Sequence, residues 1–307
     1  MNPNRLAVIY CWERGRVRPA LQALIILDRL NFALARSVRT GRPRSQVSKV
    51  GSRTKETTSV KLHLLMIAAL ILFPITSAAA SDEITKELIT SHGKTRAYYL
   101  YVPSIVKASS PAPLIVMLHG SGRVGMSLVE KWKDLAKKEG IIIAGPDSSD
   151  TRWWGMPQDG PEYLHDLVEE IKTKYPVNPR RVYLFGHSGG AIFALEMSLM
   201  ESQYFAATAI HAGALPPNDR DLIDSAKRKI PIFIQVGDSD QSFPLKTVRA
   251  TRDELNAKGF SVELTELPGH DHWYYDLAPK INRTAWDFLK KYELESEPIY
   301  RKFNFNE

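Results

Sequence analysis

From residue 96 onward, short apolar runs alternate with longer stretches in which apolar positions recur every three or four residues. An unbroken or alternating apolar run fits an extended strand, and the three-to-four spacing fits a helix with one buried face. On this basis Arg96–Val102, Pro113–Leu118, Ile141–Ala144, Arg181–Phe185, Ala206–Ile210, Pro231–Val236 and Val262–Leu267 read as strands. Leu128–Glu139, Pro161–Tyr175, Gly189–Met200, Lys246–Lys258 and Ala278–Tyr292 read as helices. In the second helix, Tyr163, Leu164, Leu167 and Ile171 share one face, while Glu169, Glu170, Lys172 and Lys174 lie mostly on the other. Strand–helix alternation of this kind predicts an α/β fold, a mostly parallel central sheet with helices on both faces. No repeat, Gly/Ser linker or second composition zone follows Ser81, so residues 81–307 are expected to form one domain. The tail EPIYRKFNFNE is compatible with packing on the surface or with remaining loose.

The formal net charge of +7 suggests an anionic partner until its distribution is considered. Residues 1–80 hold 13 basic and 3 acidic side chains, whereas residues 81–307 hold 28 and 31. The folded part therefore gives no electrostatic reason to expect nucleic acid. From Lys61 the chain reads KLHLLMIAALILFPITSAAASDE: a basic residue, an apolar core at Leu64–Phe73, a proline break, and small residues at Ala78 and Ala80. Residues 61–80 thus read as a secretory signal peptide cleaved after Ala80, which predicts a secreted or periplasmic protein. The apolar core is about half of the ~20 residues a spanning helix needs. If cleavage fails, the same segment becomes a signal anchor, and the basic residues before Lys61 hold its start in the cytoplasm. Residues 1–60 are a basic extension without a catalytic motif, and we read them as an over-long gene model with the true start near Val60. The single cysteine, Cys11, leaves residues 81–307 without a thiol nucleophile, a Cys-ligated metal site or a disulfide.

Gly186-His187-Ser188-Gly189-Gly190 joins the apolar run RVYLF to the helical AIFALEMSLM, so a G-x-S-x-G motif falls at a strand-to-helix turn. Such a turn lifts the Ser188 hydroxyl above the sheet and sets it at a helix N-terminus, which favours a developing negative charge. A serine nucleophile needs a base and an orienting carboxylate. Candidates follow in the order Asp then His: Asp238 and Asp240 after PIFIQVG, and His270 and His272 after VELTELPG. Each pair sits just past a predicted strand, where the loops of an open α/β sheet converge. Leu118–Gly122, LHGSG, follows another strand, and with the helix start it offers the backbone N–H groups of Ser121 and Gly189 as an oxyanion hole. The loop is a poor phosphate cradle because no G-K-[ST] follows. Trp153, Trp154 and Trp273 flank these loops and either line an acyl or aromatic pocket or pack locally.

RAYYLYVP, PLIVMLHGSG, IIAGPDS, NPRRVYLFGHSGGAIFAL, AIHAGAL and VGDSDQSFP together resemble the esterase and polyhydroxybutyrate-depolymerase-like branch of the α/β-hydrolases, which includes feruloyl and acetylxylan esterases. GHDHWYY is similar to the corresponding segment of S-formylglutathione hydrolases. The resemblance implies an α/β-hydrolase catalytic domain over residues 81–307, with Ser188 as nucleophile, Asp240 as the acid, His272 as the base, and no metal or organic cofactor. It also implies a small-molecule or carbohydrate ester as substrate, with no nucleic-acid partner and no stable membrane partner unless the signal segment stays uncleaved. Two features depart from the family. The linker and substrate-binding domain common in extracellular polymer depolymerases and the cysteines usual in several feruloyl-esterase relatives are both missing from the sequence. A serine peptidase similar to the prolyl oligopeptidase catalytic domain, or a binding protein that has kept this fold, are the competing readings.

Overall fold

In the computed structural model, residues 82–303 and 305 are described. They fall within a compact unit, Ser77–Glu307. Residues 1–60 and the 61–80 segment expected to be a signal peptide lie outside the described residues. In chain order the elements are β1 (Ile84–Ser91), β2 (Lys94–Tyr101), β3 (Ala112–Leu118), α1 (Met126–Glu139), β4 (Ile142–Pro146), α2 (Pro161–Lys174), β5 (Val177–His187), α3 (Gly189–Met200), β6 (Ala207–His211), α4 (Asp221–Ser225), β7 (Ile232–Gly237), α5 (Leu245–Ala257), β8 (Val262–Leu267) and α6 (Ala278–Leu289). One eight-stranded sheet runs in the order β1-β2-β4-β3-β5-β6-β7-β8. The strands β4 to β8 and β3 pair in parallel, and β1 and β2 add an antiparallel edge.

The unbroken apolar character of β3 follows from burial on both faces. Leu114, Val116 and Leu118 join a core with Leu164, Leu167 and Ile171 of α2 and Val248 and Leu255 of α5. Ile115 and Met117 point the other way, into a second core with Leu128, Val129 and Trp132 of α1 and Ile281, Ala285 and Trp286 of α6. Period-two alternation therefore feeds two helix layers at once, and each fully buried Leu, Ile or Val removes ~1.5–3 kcal/mol of exposed apolar surface from water.

Several element boundaries differ from the sequence expectation. The strand β1 was not expected, because ITKELITS has no apolar period: Leu88 is exposed, and only Ile89 and Ser91 are buried. It is an edge strand held by its backbone ladder to β2. The strand β5 begins at Val177 rather than Arg181, since a register shift between Ala112 and Leu114 accommodates the Asn178-Pro179 stretch. The helix α6 ends at Leu289 instead of Tyr292, where the amides of Lys291 and Tyr292 turn back to Phe288 and Leu289 in tighter three-residue bonds. The tail packs: Leu294 and Ile299 donate backbone bonds to Arg180 and Gln203, and the Tyr300 ring stacks on His165 at 4.0 Å. Among the described residues no helix is long and apolar enough to cross a membrane.

Candidate active site

Ser188 stands between β5 and α3 with φ 56° and ψ −120°, a conformation that is strained for a residue with a side chain. The flanking glycines make it possible. A Cβ at Gly190 would lie 2.0 Å from the Leu118 carbonyl oxygen, and one at Gly186 would lie 2.3 Å from that of Gly190. Residues with side chains would push the turn off β3, and with it the serine.

His272 Nε2 lies 2.9 Å from Ser188 Oγ, and His272 Nδ1 lies 2.9 Å from Asp240 Oδ2. The Asp240 side chain is buried, and its second oxygen accepts from the amides of Ser242 and Phe243 at 2.8 and 2.9 Å. The His272 ring lies between Phe243, stacked at 5.7 Å, and His187, at 5.2 Å. Asp238 and His270 have other partners. Asp238 Oδ1 accepts from the Gly269 amide at 2.9 Å, bracing the loop that carries His272. His270 faces His211 at 3.2 Å. Both pairs left open by spacing alone are thus separated by position: His272 contacts Ser188 and Asp240, whereas Asp238 contacts Gly269 and His270 contacts His211.

The loop after β3 runs close beside this turn. A Cβ on Gly189 would be 2.7 Å from Ser121 Oγ and 3.5 Å from Ser121 N, so the two residues are neighbours. Among the described residues neither amide donates to a protein acceptor. His119 fixes the loop from behind: its Nδ1 donates to the Gly120 carbonyl at 3.0 Å, and its Nε2 accepts from the Ser148 amide at 3.2 Å. Burial holds the His119 imidazole below its ordinary pKa, in keeping with that neutral tautomer.

The three tryptophans differ in placement. Trp154 donates from Nε1 to the His119 carbonyl at 2.9 Å and stacks on Phe193 at 5.2 Å, so it braces the loop carrying Ser121. Trp273 is exposed beside His272, with the Arg123 guanidinium 5.3 Å from its ring. Trp153 is also exposed and lies under Arg152, at 4.3 Å. Asp159 ties the tryptophan-bearing loop down, accepting from the amides of Ser149 and Gly155 and pairing with Arg96. A separate cavity of about 250 Å³, lined by Met156, Glu196, Met200, Asp219 and Leu222 among others, includes none of Ser188, Asp240 and His272.

His119, His187, His211 and Phe243, which lie around Ser188 and His272, were not singled out from the sequence. His119 and His187 each lie within a motif, LHGSG and GHSGG respectively, and that membership was the available signal. His211 carried none, because a lone histidine closing an apolar strand is ordinary in sequence. Among the described residues no group of three or more His, Cys, Asp or Glu side chains is arranged to hold a metal ion.

The dienelactone hydrolase family model matches residues 148–287. The chain is similar to the bifunctional acetylxylan esterase/xylanase of Neocallimastix patriciarum, at 24% identity over 59% of this chain and 27% of that one. It is also similar to poly(3-hydroxyalkanoate) depolymerase C of Paucimonas lemoignei, at 26% identity over 55% of this chain and 42% of the relative. The chain thus spans well under two thirds of either relative's length. An S-formylglutathione hydrolase from Agrobacterium tumefaciens shares the fold with a TM-score of 0.56 at 16% identity, over 67% of this chain and 94% of that one.

Proposed function

We propose that this chain, which has the α/β-hydrolase fold and resembles its esterase and polyhydroxybutyrate-depolymerase-like branch, hydrolyses carboxylic esters through Ser188, His272 and Asp240. The observation that carries the reading is the run of two 2.9 Å hydrogen bonds from Ser188 Oγ through His272 to Asp240, at a strained strand-to-helix turn.

His272 Nδ1–H donates to Asp240, which leaves Nε2 free to accept the Ser188 hydroxyl proton. As that proton moves to Nε2, Oγ bonds to the ester carbonyl carbon, and the carbonyl electron pair settles on oxygen between the amides of Ser121 and Gly189. One such donor is worth ~3–4 kcal/mol of barrier in a well-studied case. Collapse breaks the carbon–alkoxide bond, and Nε2 returns the proton to the departing alcohol. Water then repeats the sequence on the acyl-enzyme, giving the acid and restoring Ser188. The substrate is a small-molecule or carbohydrate ester, and Trp273 beside His272 is positioned to meet its acyl or alcohol part. Export, as a secreted or periplasmic enzyme after cleavage at Ala80, is part of the same proposal and rests on the sequence pattern of residues 61–80.

Assaying p-nitrophenyl acetate and butyrate beside a proline-containing peptide anilide tests the reaction class. Turnover of the esters is expected, with the anilide left intact. Cleavage of the anilide alone would replace the esterase by a peptidase, and turnover of neither would leave a binding protein.

A further inference from the structure

Three histidines outside the triad form a hydrogen-bonded chain behind it. His187, the last residue of β5, and His211, the last of β6, are register partners across the parallel ladder, and both are buried. Their Nδ1 atoms lie 3.0 Å apart, and His211 Nε2 lies 3.2 Å from His270 Nε2. The chain starts one residue before Ser188 and ends two residues before His272. Its backbone extends the connection, since the His211 carbonyl accepts from the Ser188 amide at 3.1 Å and the His270 carbonyl accepts from the Ser239 amide at 3.0 Å. The strand end carrying the nucleophile and the loops carrying the acid and the base therefore all meet on these three residues.

Proton count restricts the chain. No carboxylate pairs with His187 or His211 among the described residues, and burial, followed by the neighbouring imidazoles, keeps both well below the ordinary histidine pKa. A neutral imidazole has one N–H and one lone pair. His211 bonds at both nitrogens, so it donates to one neighbour and accepts from the other, and every link points the same way along the chain. A side chain able to donate or accept at the His270 ε position is therefore needed to complete it.

We propose that His187, His211 and His270 are positioning residues that fix the His272 loop against Ser188, an inference that rests on the serine-hydrolase reading above. Among the described residues, His272 is held through its own ring only by Asp240 and Ser188 and by stacking on Phe243 and His187. Its backbone follows Gly269, which has φ +67° and no side chain to lock the turn. Beside the backbone bonds of Gly269 to Asp238 and of Ser239 to His270, the His270–His211 bond adds a side-chain anchor two residues away. Displacing a reacting group by about 1 Å can slow a reaction about a hundredfold.

The experiment compares His270→Gln, His270→Asn and His270→Ala with wild type by ester kinetics, thermal midpoint, and the rate at which a fluorophosphonate labels Ser188. Glutamine places an amide near the imidazole ε position, whereas asparagine is too short to reach His211. We expect kcat to fall about 10- to 100-fold in His270→Ala and His270→Asn, with KM within about twofold, labelling slowed in proportion and the midpoint nearly unchanged. His270→Gln should recover to within about threefold of wild type. The inference is overturned if His270→Ala or His270→Asn reacts at the wild-type rate, if His270→Gln is as slow as His270→Asn, or if the loss lies in KM. A wild-type protein inert to esters and fluorophosphonate would instead overturn the serine-hydrolase reading, and this inference with it.

Discussion

At the scale of single residues, the site separates side chains that the sequence presents as equals. Asp238 and Asp240 share one turn, yet only Asp240 reaches His272, while Asp238 accepts from Gly269 at the base of the neighbouring loop. Asp240→Asn should lower kcat by several orders of magnitude, because the amide no longer favours the tautomer that leaves Nε2 as base. Asp238→Asn should lower kcat less than about tenfold and act mainly on the thermal midpoint. Steady-state kinetics on both variants at equal folded fraction check this, and a reversed order would move the acid to Asp238. The strand-to-helix turn at Ser188 was legible because its glycines are part of the signal: the backbone packs so closely at Gly186 and Gly190 that a Cβ there would overlap the Gly190 or Leu118 carbonyl oxygen. The choice between His270 and His272 was not legible from spacing. It depends on which imidazole points along the sheet edge and which turns under it to His211, a distinction of side-chain direction that the family segment suggested and the coordinates display.

At the scale of elements, the alternation of apolar runs with three-to-four periodicity located the seven strands and five helices that build the two cores. The element it missed at the edge, β1, owes its place to backbone pairing rather than to a buried face, and pairing leaves no mark on composition. The short α4 escaped for a related reason, since only Ile223 of its five residues is buried. Element packing also makes the Ser188 turn intolerant of change. Gly190→Ala would set a methyl group 2.0 Å from the Leu118 carbonyl and push α3 from β3. Overpacking of this kind typically costs about 1–3 kcal/mol. Gly155→Ala meets nothing closer than the Trp153 ring at 3.7 Å and is expected to stay within about 0.5 kcal/mol of wild type. Thermal melts of the two variants test the contrast, and equal stability would mean that the turn has more room than its geometry indicates.

At the scale of the whole molecule, buried titratable groups other than Asp240 and His272 shape stability against pH. Burial, and then the nearby Asp219 carboxyl, pushes Glu196 on α3 up to about 8 from its ordinary value of 4.5. Between these values the folded state binds more protons than the unfolded state, so stability falls as pH rises and levels off above about 8. His187 and His211 act in the opposite sense on the acid side, because they resist charging in the fold while the unfolded chain takes up protons below about 6.5. Stability is therefore expected to peak near neutrality and to drop by about 1 kcal/mol, or ~3 °C in Tm, from pH 7 to 8.5. Glu196→Gln should flatten that alkaline limb in a melting series, and an unchanged slope would mean that Glu196 is ionised in the folded protein at pH 7. The central claim concerns a single oxygen in a chain of 307 residues. Intact-protein mass spectrometry with peptide mapping after fluorophosphonate treatment addresses it directly. We expect one adduct, on Ser188, its formation matching the loss of ester hydrolysis, and no adduct or turnover in Ser188→Ala with an unchanged thermal midpoint. An adduct on another residue, or ester turnover in Ser188→Ala above a tenth of wild type, would contradict the assignment of Ser188 as the nucleophile.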